Sequence, residues 1–189
     1  MARLDDLPDA DLAAAAARGD RPSLEALLHR HADRIHSICR RVVVNADDAM
    51  DATQEAMIAI TRGIARFDGR AQFTTWLYRV ATNAALDELR RRSRRPRPSE
   101  VLPEPPNATD PTAGIADRLL VDAALAEIRP EFRAAVALRD LAGLDYADIG
   151  EVLGIPPGTV RSRIARGRAA LADRLGNQID PSDRPNRLP

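Results

Sequence analysis

The chain has 189 residues, 44% of them hydrophobic and only 3% aromatic, and its 28 acidic side chains are balanced by 28 basic ones, every one an arginine. That length allows one mid-sized domain or two small ones, and an apolar content carried by Ala, Leu, Ile and Val favours an all-helical fold. The single cysteine, Cys39, excludes an intrachain disulfide and a cysteine-built zinc or iron-sulfur centre. The longest apolar run, Leu12 to Ala17, is too short to span a bilayer, and Asp5, Asp6 and Asp9 stand where a signal peptide needs positive charge, so a cytoplasmic protein without membrane insertion is expected.

In chain order, Ser23 is the predicted cap of a first long helix. Its residues Leu24, Leu27, Leu28, Ile35, Ile38 and Val42 share one face at 3.6-residue spacing. His31 and Cys39 fall on that stripe, whereas His29 and His36 project away from it, so the four groups do not converge on a metal and no cofactor is expected. The next helix is predicted to start near Asp47 or Asp48 and to bury Thr53, Ala56, Ile60, Ile64 and Phe67. Its opposite face carries Asp51, Gln54, Glu55 and the apolar Ile58, either a protein-docking surface or an ordinary solvated face.

Asp68-Gly69-Arg70 reads as a turn, followed by a helix from Thr74 or Thr75 to the cluster Arg90, Arg91, Arg92, Arg94 and Arg95. Leu77, Val80, Ala81 and Ala84 form its apolar stripe. Trp76, Arg79, Asn83, Arg90 and Arg94 share a neighbouring sector of roughly 60°. Trp offers a stacking surface, Asn a donor and acceptor for a base edge, and Arg a phosphate contact, so the sector reads as a nucleic-acid face. The alternative places Trp76 in the core.

Six prolines between Pro96 and Pro111 then mark an extended linker. It separates a helical unit at 9–95 from a second at 112–178, with a tail at 179–189. In the second unit Gly143 is placed to cap one helix. Asp145 caps a short one, Tyr146 to Leu153, which Gly154 stops. A further helix begins at Pro157 or Gly158 and runs to about Leu175. A short helix, a glycine turn and a basic second helix make a helix-turn-helix, with Thr159, Arg161, Ser162, Ala165 and Arg166 as candidate DNA contacts. A helical hairpin used only for packing is the bland alternative.

The zero net charge hides a sorted distribution. Thr61–Arg97 has ten arginines against three acids, a net of +7; Pro98–Ile128 has one against six, −5; Ile155–Leu175 has five against one, +4. Two basic segments around an acidic spacer fit a protein that touches a polyanion at two places.

These motifs resemble the extracytoplasmic-function (group 4) sigma factors of bacterial RNA polymerase over nearly the whole chain. The resemblance is carried by Asp48-x-x-Asp51-x-x-Gln54-Glu55, Arg66-Phe67-Asp68-Gly69-Arg70, Phe73-x-Thr75-Trp76-Leu77-Tyr78-Arg79-Val80-Ala81-x-Asn83, Asp87-x-Leu89-Arg90-Arg91 and Gly143-Leu144-x-Tyr146-x-x-Ile149 through Gly158-Thr159-Val160-Arg161-Ser162-Arg163. It implies two helical domains, region 2 and region 4, and promoter recognition without covalent chemistry. It also implies core-polymerase docking by Asp48, Asp51, Gln54, Glu55 and Ile58 on the β′ clamp helices, and of region 4 on the β flap. The −10 element would be read and melted by Gly69, Arg70, Phe73, Trp76, Arg79, Asn83, Arg90 and Arg94. The −35 duplex would be met by Thr159, Arg161, Ser162, Ala165 and Arg166. An anti-sigma partner is a further expectation of the resemblance, and a small-molecule substrate is not. Leu77 stands where housekeeping sigma factors carry a second melting tryptophan. A stand-alone helix-turn-helix regulator and a polymerase-binding adaptor without promoter contacts are the competing readings.

Overall fold

In a computed structural model, which describes residues 4–94 and 121–176, regular structure is helical throughout the described residues. The elements are α1 (Asp9–Ala17), α2 (Arg21–Val43), α3 (Ala46–Gly63), α4 (Phe73–Arg94), α5 (residues 121–126), α6 (Pro130–Asp140), α7 (Tyr146–Leu153) and α8 (Pro157–Gly176). Short 3₁₀ turns lie at Leu4–Asp6 and Ile64–Arg66. The linker assigned to 96–111 and the tail at 179–189 lie outside the described residues.

Helix starts differ from the sequence expectation by a few residues, and side-chain caps explain why. Asp20, not Ser23, caps α2: its carboxylate accepts the Ser23 amide at 3.0 Å, and Pro22 sits in the first turn, where a missing N–H costs nothing. Hydrogen bonds from the Ser23 side chain and backbone hold the Asp20 carboxyl below its usual range. Folding therefore gains from this cap above the ordinary carboxylate range and loses the gain as pH falls through the lowered pKa. Asn45 caps α3 through the Asp48 amide at 3.0 Å, which moves the start back to Ala46. In the second unit the punctuation is as expected: Asp145 accepts the amides of Ala147 and Asp148, both at 2.8 Å, and Gly154 closes α7 in the left-handed region.

Helices α2, α3 and α4 pack on one another, with α1 laid across α2, around Leu27, Ile35, Ile38, Ile60 and Leu77. Cys39 is part of this core, its Sγ 3.8 Å from the Ala81 carbonyl, and burial pushes its thiol up to about 11. Helices α6, α7 and α8 form the helix-turn-helix unit around Leu138, Ile149, Val160 and Ile164.

The two units do not stand apart. α6 lies against α2 and α7 against α4, giving one continuous buried cluster from Leu12 to Ile164. The reason lies in α6, where the six consecutive residues Arg133 to Leu138 are all buried. A helix facing a single neighbour buries only a stripe, so a helix buried all round must be covered on both sides. Arg40 and Arg41 on α2 close the same boundary by pairing with Asp122, at 2.6 and 3.4 Å.

Val44, between α2 and α3, has φ 72° and ψ −52°, a conformation that a β-branched residue adopts only under strain of about 1–3 kcal/mol. Its side chain is half-exposed, so little packing is lost on removal. Val44→Gly is expected to raise the urea midpoint, a net gain of about 1 kcal/mol after the entropy cost of glycine. A lower midpoint would show that Val44 packing outweighs the strain.

Candidate promoter and polymerase interfaces

Three surfaces emerge, the first on α3. Asp51, Gln54, Glu55 and Ile58 are exposed as expected, and Ile58 keeps 36% of its surface in contact with solvent. The sequence reading missed Met50, which is 65% exposed. Met50, Gln54 and Ile58 recur every four residues and so form one ridge with the carboxylates beside it. Asp48 is different: its side chain pairs with Arg92 of α4. It ties α3 to α4, and a partner would reach it only by competing with that arginine.

The second surface is the outer side of α4 and the loop before it. Phe67 and Phe73 bracket this loop. Gly69 takes φ 72°, the left-handed turn that glycine permits, and the Arg70 amide donates to Asp68 Oδ1 at 3.1 Å. Gly69 and Arg70 are exposed. Trp76 is half-buried, and its ring packs on Phe67 and Phe73 at centroid distances of 5.5 and 5.8 Å. Gly63 lets it approach, since a Cβ there would sit 3.1 Å from the Trp76 ring. Trp76 thus serves the core and the surface together.

Phe73 corrects the sequence reading. It is only 4% exposed, locked among His31, Phe67 and Trp76, and cannot touch DNA from this position. Its aromatic contacts make it a support for the loop. Leu77 is fully buried, so this position turns inward to the core.

The arginines of α4 are held to different degrees. Arg90 pairs with Asp87 at 2.6 Å, and Arg91 lies 2.8 Å from Glu88, a carboxylate only 1% exposed whose oxygens have no well-aligned hydrogen bond among the described residues. Arg94 is exposed. Arg79 lies 3.8 Å from Glu151 of α7. Asn83 is exposed at the mouth of a cleft between the units, with Arg90 beside it and Leu153, Ile155 and Arg163 opposite. The structure therefore splits the predicted sector in two, Trp76 and Arg79 near the Gly69 loop and Asn83 and Arg90 in the inter-unit cleft. Burial, then the neighbouring acids Asp145 and Glu151, raise the Asp148 carboxyl above its usual range.

The third surface is α8. Arg161, Ser162, Ala165 and Arg166 are exposed, while Val160, Ile164 and Gly167 on the other side are buried. Thr159 is half-buried and its carbonyl accepts the Ser162 hydroxyl at 2.9 Å. Arg161 is steadied over the Tyr146 ring, 5.7 Å from its centroid, with Arg139 also over that ring at 5.2 Å. The sequence reading also missed Arg133, 5% exposed, whose Nη1 donates to the Leu125 carbonyl at 3.0 Å and fastens α5 to α6; burial lowers its pKa. Among the described residues no group of three or more His, Cys, Asp or Glu is placed to hold a metal, and no helix is long and apolar enough to cross a membrane.

An outward basic face on a helix-turn-helix, joined to a helical bundle with a second arginine face and an acidic ridge, is the architecture of a helical DNA-binding protein. The family model for sigma-70 region 2 matches residues 27–95 and that for sigma-70 region 4 matches residues 118–171. The chain belongs to the extracytoplasmic-function group of the sigma-70 family, and so is an alternative sigma factor that binds core RNA polymerase and directs promoter recognition. It is 39% identical over 168 residues to the ECF RNA polymerase sigma factor SigM of Mycobacterium tuberculosis, covering 89% of this chain and 85% of that protein. It is 43% identical over 162 residues to SigE of Mycolicibacterium smegmatis, covering 82% and 62%. With the ECF sigma-E factor of Escherichia coli it shares 32% over 182 residues, covering 89% and 95%. The fold is similar to that of CnrH, solved with the cytosolic domain of CnrY, at a TM-score of 0.70 and 24% identity over 90% of this chain and 99% of that one. It is also similar to the sigma factor RpoE of Bartonella quintana, solved with the anti-sigma factor NepR, at 0.66 and 20% over 80% and 96%.

Proposed function

We propose that the three surfaces divide the work of initiation. The α3 ridge of Met50, Asp51, Gln54, Glu55 and Ile58 docks on the β′ clamp helices, joining an apolar contact to acidic side chains that select a basic partner. The Gly69–Arg70 loop with Trp76, Arg79 and Asn83 captures the melted −10 strand, while Arg90 and Arg94 neutralise its backbone. Arg161, Ser162, Ala165 and Arg166 meet the −35 duplex in the major groove, and region 4 engages the β flap. The protein works by binding in the cytoplasm and carries out no covalent chemistry. An anti-sigma factor restrains it, a reading supported by the resemblance to relatives solved with such partners.

The observation that carries this reading is the pair of separate arginine-bearing helical faces, on α4 and α8, in one chain with the acidic ridge of α3. Runoff transcription with purified core polymerase over a randomised promoter library tests it: enrichment of two spaced elements is expected. Binding to duplex DNA without any core-dependent transcription would favour a stand-alone regulator.

Arg166→Ala separates this reading from a polymerase adaptor. The side chain is exposed, so stability should hold, while closed-complex affinity falls and the salt dependence of log K loses about one unit of slope. Unchanged transcription from Arg161→Ala and Arg166→Ala would mean that promoter contacts lie elsewhere.

A further inference from the structure

One polar pair, a buried histidine and a half-buried aspartate, belongs to none of the three surfaces yet lies directly beneath one of them. His31 is 3% exposed, and its Nε2 lies 2.7 Å from Oδ2 of Asp9, the first residue of α1. Asp9 also accepts from Arg30 Nη1 at 2.6 Å. A carboxylate only accepts, so the His31 proton sits on Nε2. Nδ1 is buried with no hydrogen-bond partner among the described residues.

The ring packs on Phe73 with centroids 5.7 Å apart and planes tilted by 56°. Phe73 meets Phe67 edge-on at 5.8 Å. Phe67 and Phe73 are the two ends of the loop Asp68–Gln72, so their contact pins both ends together, and His31 is the floor on which Phe73 rests. Across from the loop, Ala10, Ala14 and Ala17 of α1 complete an open groove of about 510 Å³. Asp9 anchors the start of that helix to His31. One hydrogen bond therefore joins the two walls of the groove through a single aromatic stack.

We infer that His31, held by Asp9, is a positioning residue for −10 recognition, fixing the Phe73 ring and with it the loop Asp68–Gln72 against α1. The inference rests on the reading of that loop as part of the −10 surface. Neither His31 nor Asp9 need touch DNA. Their effect is on where Gly69 and Arg70 stand when an unpaired base arrives, and displacements of that kind act on discrimination more than on affinity.

The experiment uses holoenzyme assembled from core polymerase and the full chain. It measures the ratio of open-complex rates on a matched promoter and on promoters with single −10 substitutions, alongside competition for core polymerase. His31→Leu keeps the volume and loses the bond; Asp9→Ala loses the bond from the helix end without opening the core. Each is expected to reduce the discrimination ratio about tenfold, the scale of one base-pair mismatch, with core competition unchanged. His31→Gln, whose side-chain amide can still donate to Asp9, is expected to stay within about threefold of wild type. Should His31→Leu fail to fold, Asp9→Ala decides. A wild-type ratio in the bond-breaking variants, while Arg70→Ala lowers it, overturns the inference and leaves the loop reading intact. Loss of core binding in step with the ratio overturns it in favour of a purely structural pair. If Arg70→Ala also leaves the ratio unchanged, the loop reading falls and the inference falls with it.

Discussion

Gly167→Val is expected to remove −35 recognition altogether by unfolding the helix-turn-helix unit, although no DNA-facing side chain is altered. Gly167 is buried where α8 crosses α6, and a Cβ there would lie 2.6 Å from Val136 Cγ2 and 3.2 Å from the Phe132 carbonyl oxygen. The carbonyl belongs to helix backbone and cannot swing aside, so the helices must separate. Valine adds two further methyl groups at this crossing, and overpacking of this kind costs about 3 kcal/mol. A unit this small has little stability to spare. Separation would also disturb α6, which packs against α2 as well as α8. Urea denaturation followed by circular dichroism should show a lost or strongly lowered transition for α6 to α8, together with loss of −35-dependent transcription. A change below about 1 kcal/mol would mean that the crossing has slack and that the close approach is not required.

Asn83→Ala is expected to act in the opposite sense, sparing the fold and impairing the opening of DNA. The side chain is exposed on α4 and lines the cleft opposite Leu153, Ile155 and Arg163, so unfolding should change by no more than about 0.5 kcal/mol. An amide that donates and accepts at a base edge is lost, and open-complex formation should fall about tenfold. Permanganate footprints should show weak −10 reactivity with normal closed-complex affinity, whereas Arg166→Ala should show weak closed complexes and normal melting once bound. Normal −10 reactivity in Asn83→Ala would remove this residue from the melting surface. Glu151 of α7 lies 3.8 Å from Arg79, so under the proposed function a DNA strand that reaches Arg79 competes with that carboxylate.

Much of the architecture was legible because its signals are local. Asp145, Gly154 and Pro157 punctuate the helix-turn-helix within a single turn of each helix end, and the ends fell where those residues placed them. The 3.6-residue stripe of α2 correctly buried His31 and Cys39. On α3 the same periodicity sent Asp51, Gln54, Glu55 and Ile58 outward, and on α8 it did so for Arg161, Ser162, Ala165 and Arg166. The family signature, too, is a matter of residue order. Charge neutrality resolves into two basic faces offset by acids elsewhere, which the order of residues alone reveals.

What the tertiary structure decided are the pairings across the chain. Asp48 is paired with Arg92, 44 residues away, which ties α3 to α4. Phe73 looked like a DNA contact until three aromatic neighbours enclosed it. The Asp9–His31 bond spans 22 residues and the Arg40–Asp122 pair 82. Helix α6 carried one clue, an apolar run too broad for a single stripe, but nothing local named α2 as the element that covers its second side. Caps and helical period act over about four residues, so sequence order determines which faces a helix buries. The partner of each buried or charged group is set by the folding of distant segments onto one another, and that choice separates a loop's contact residues from those that hold it in place.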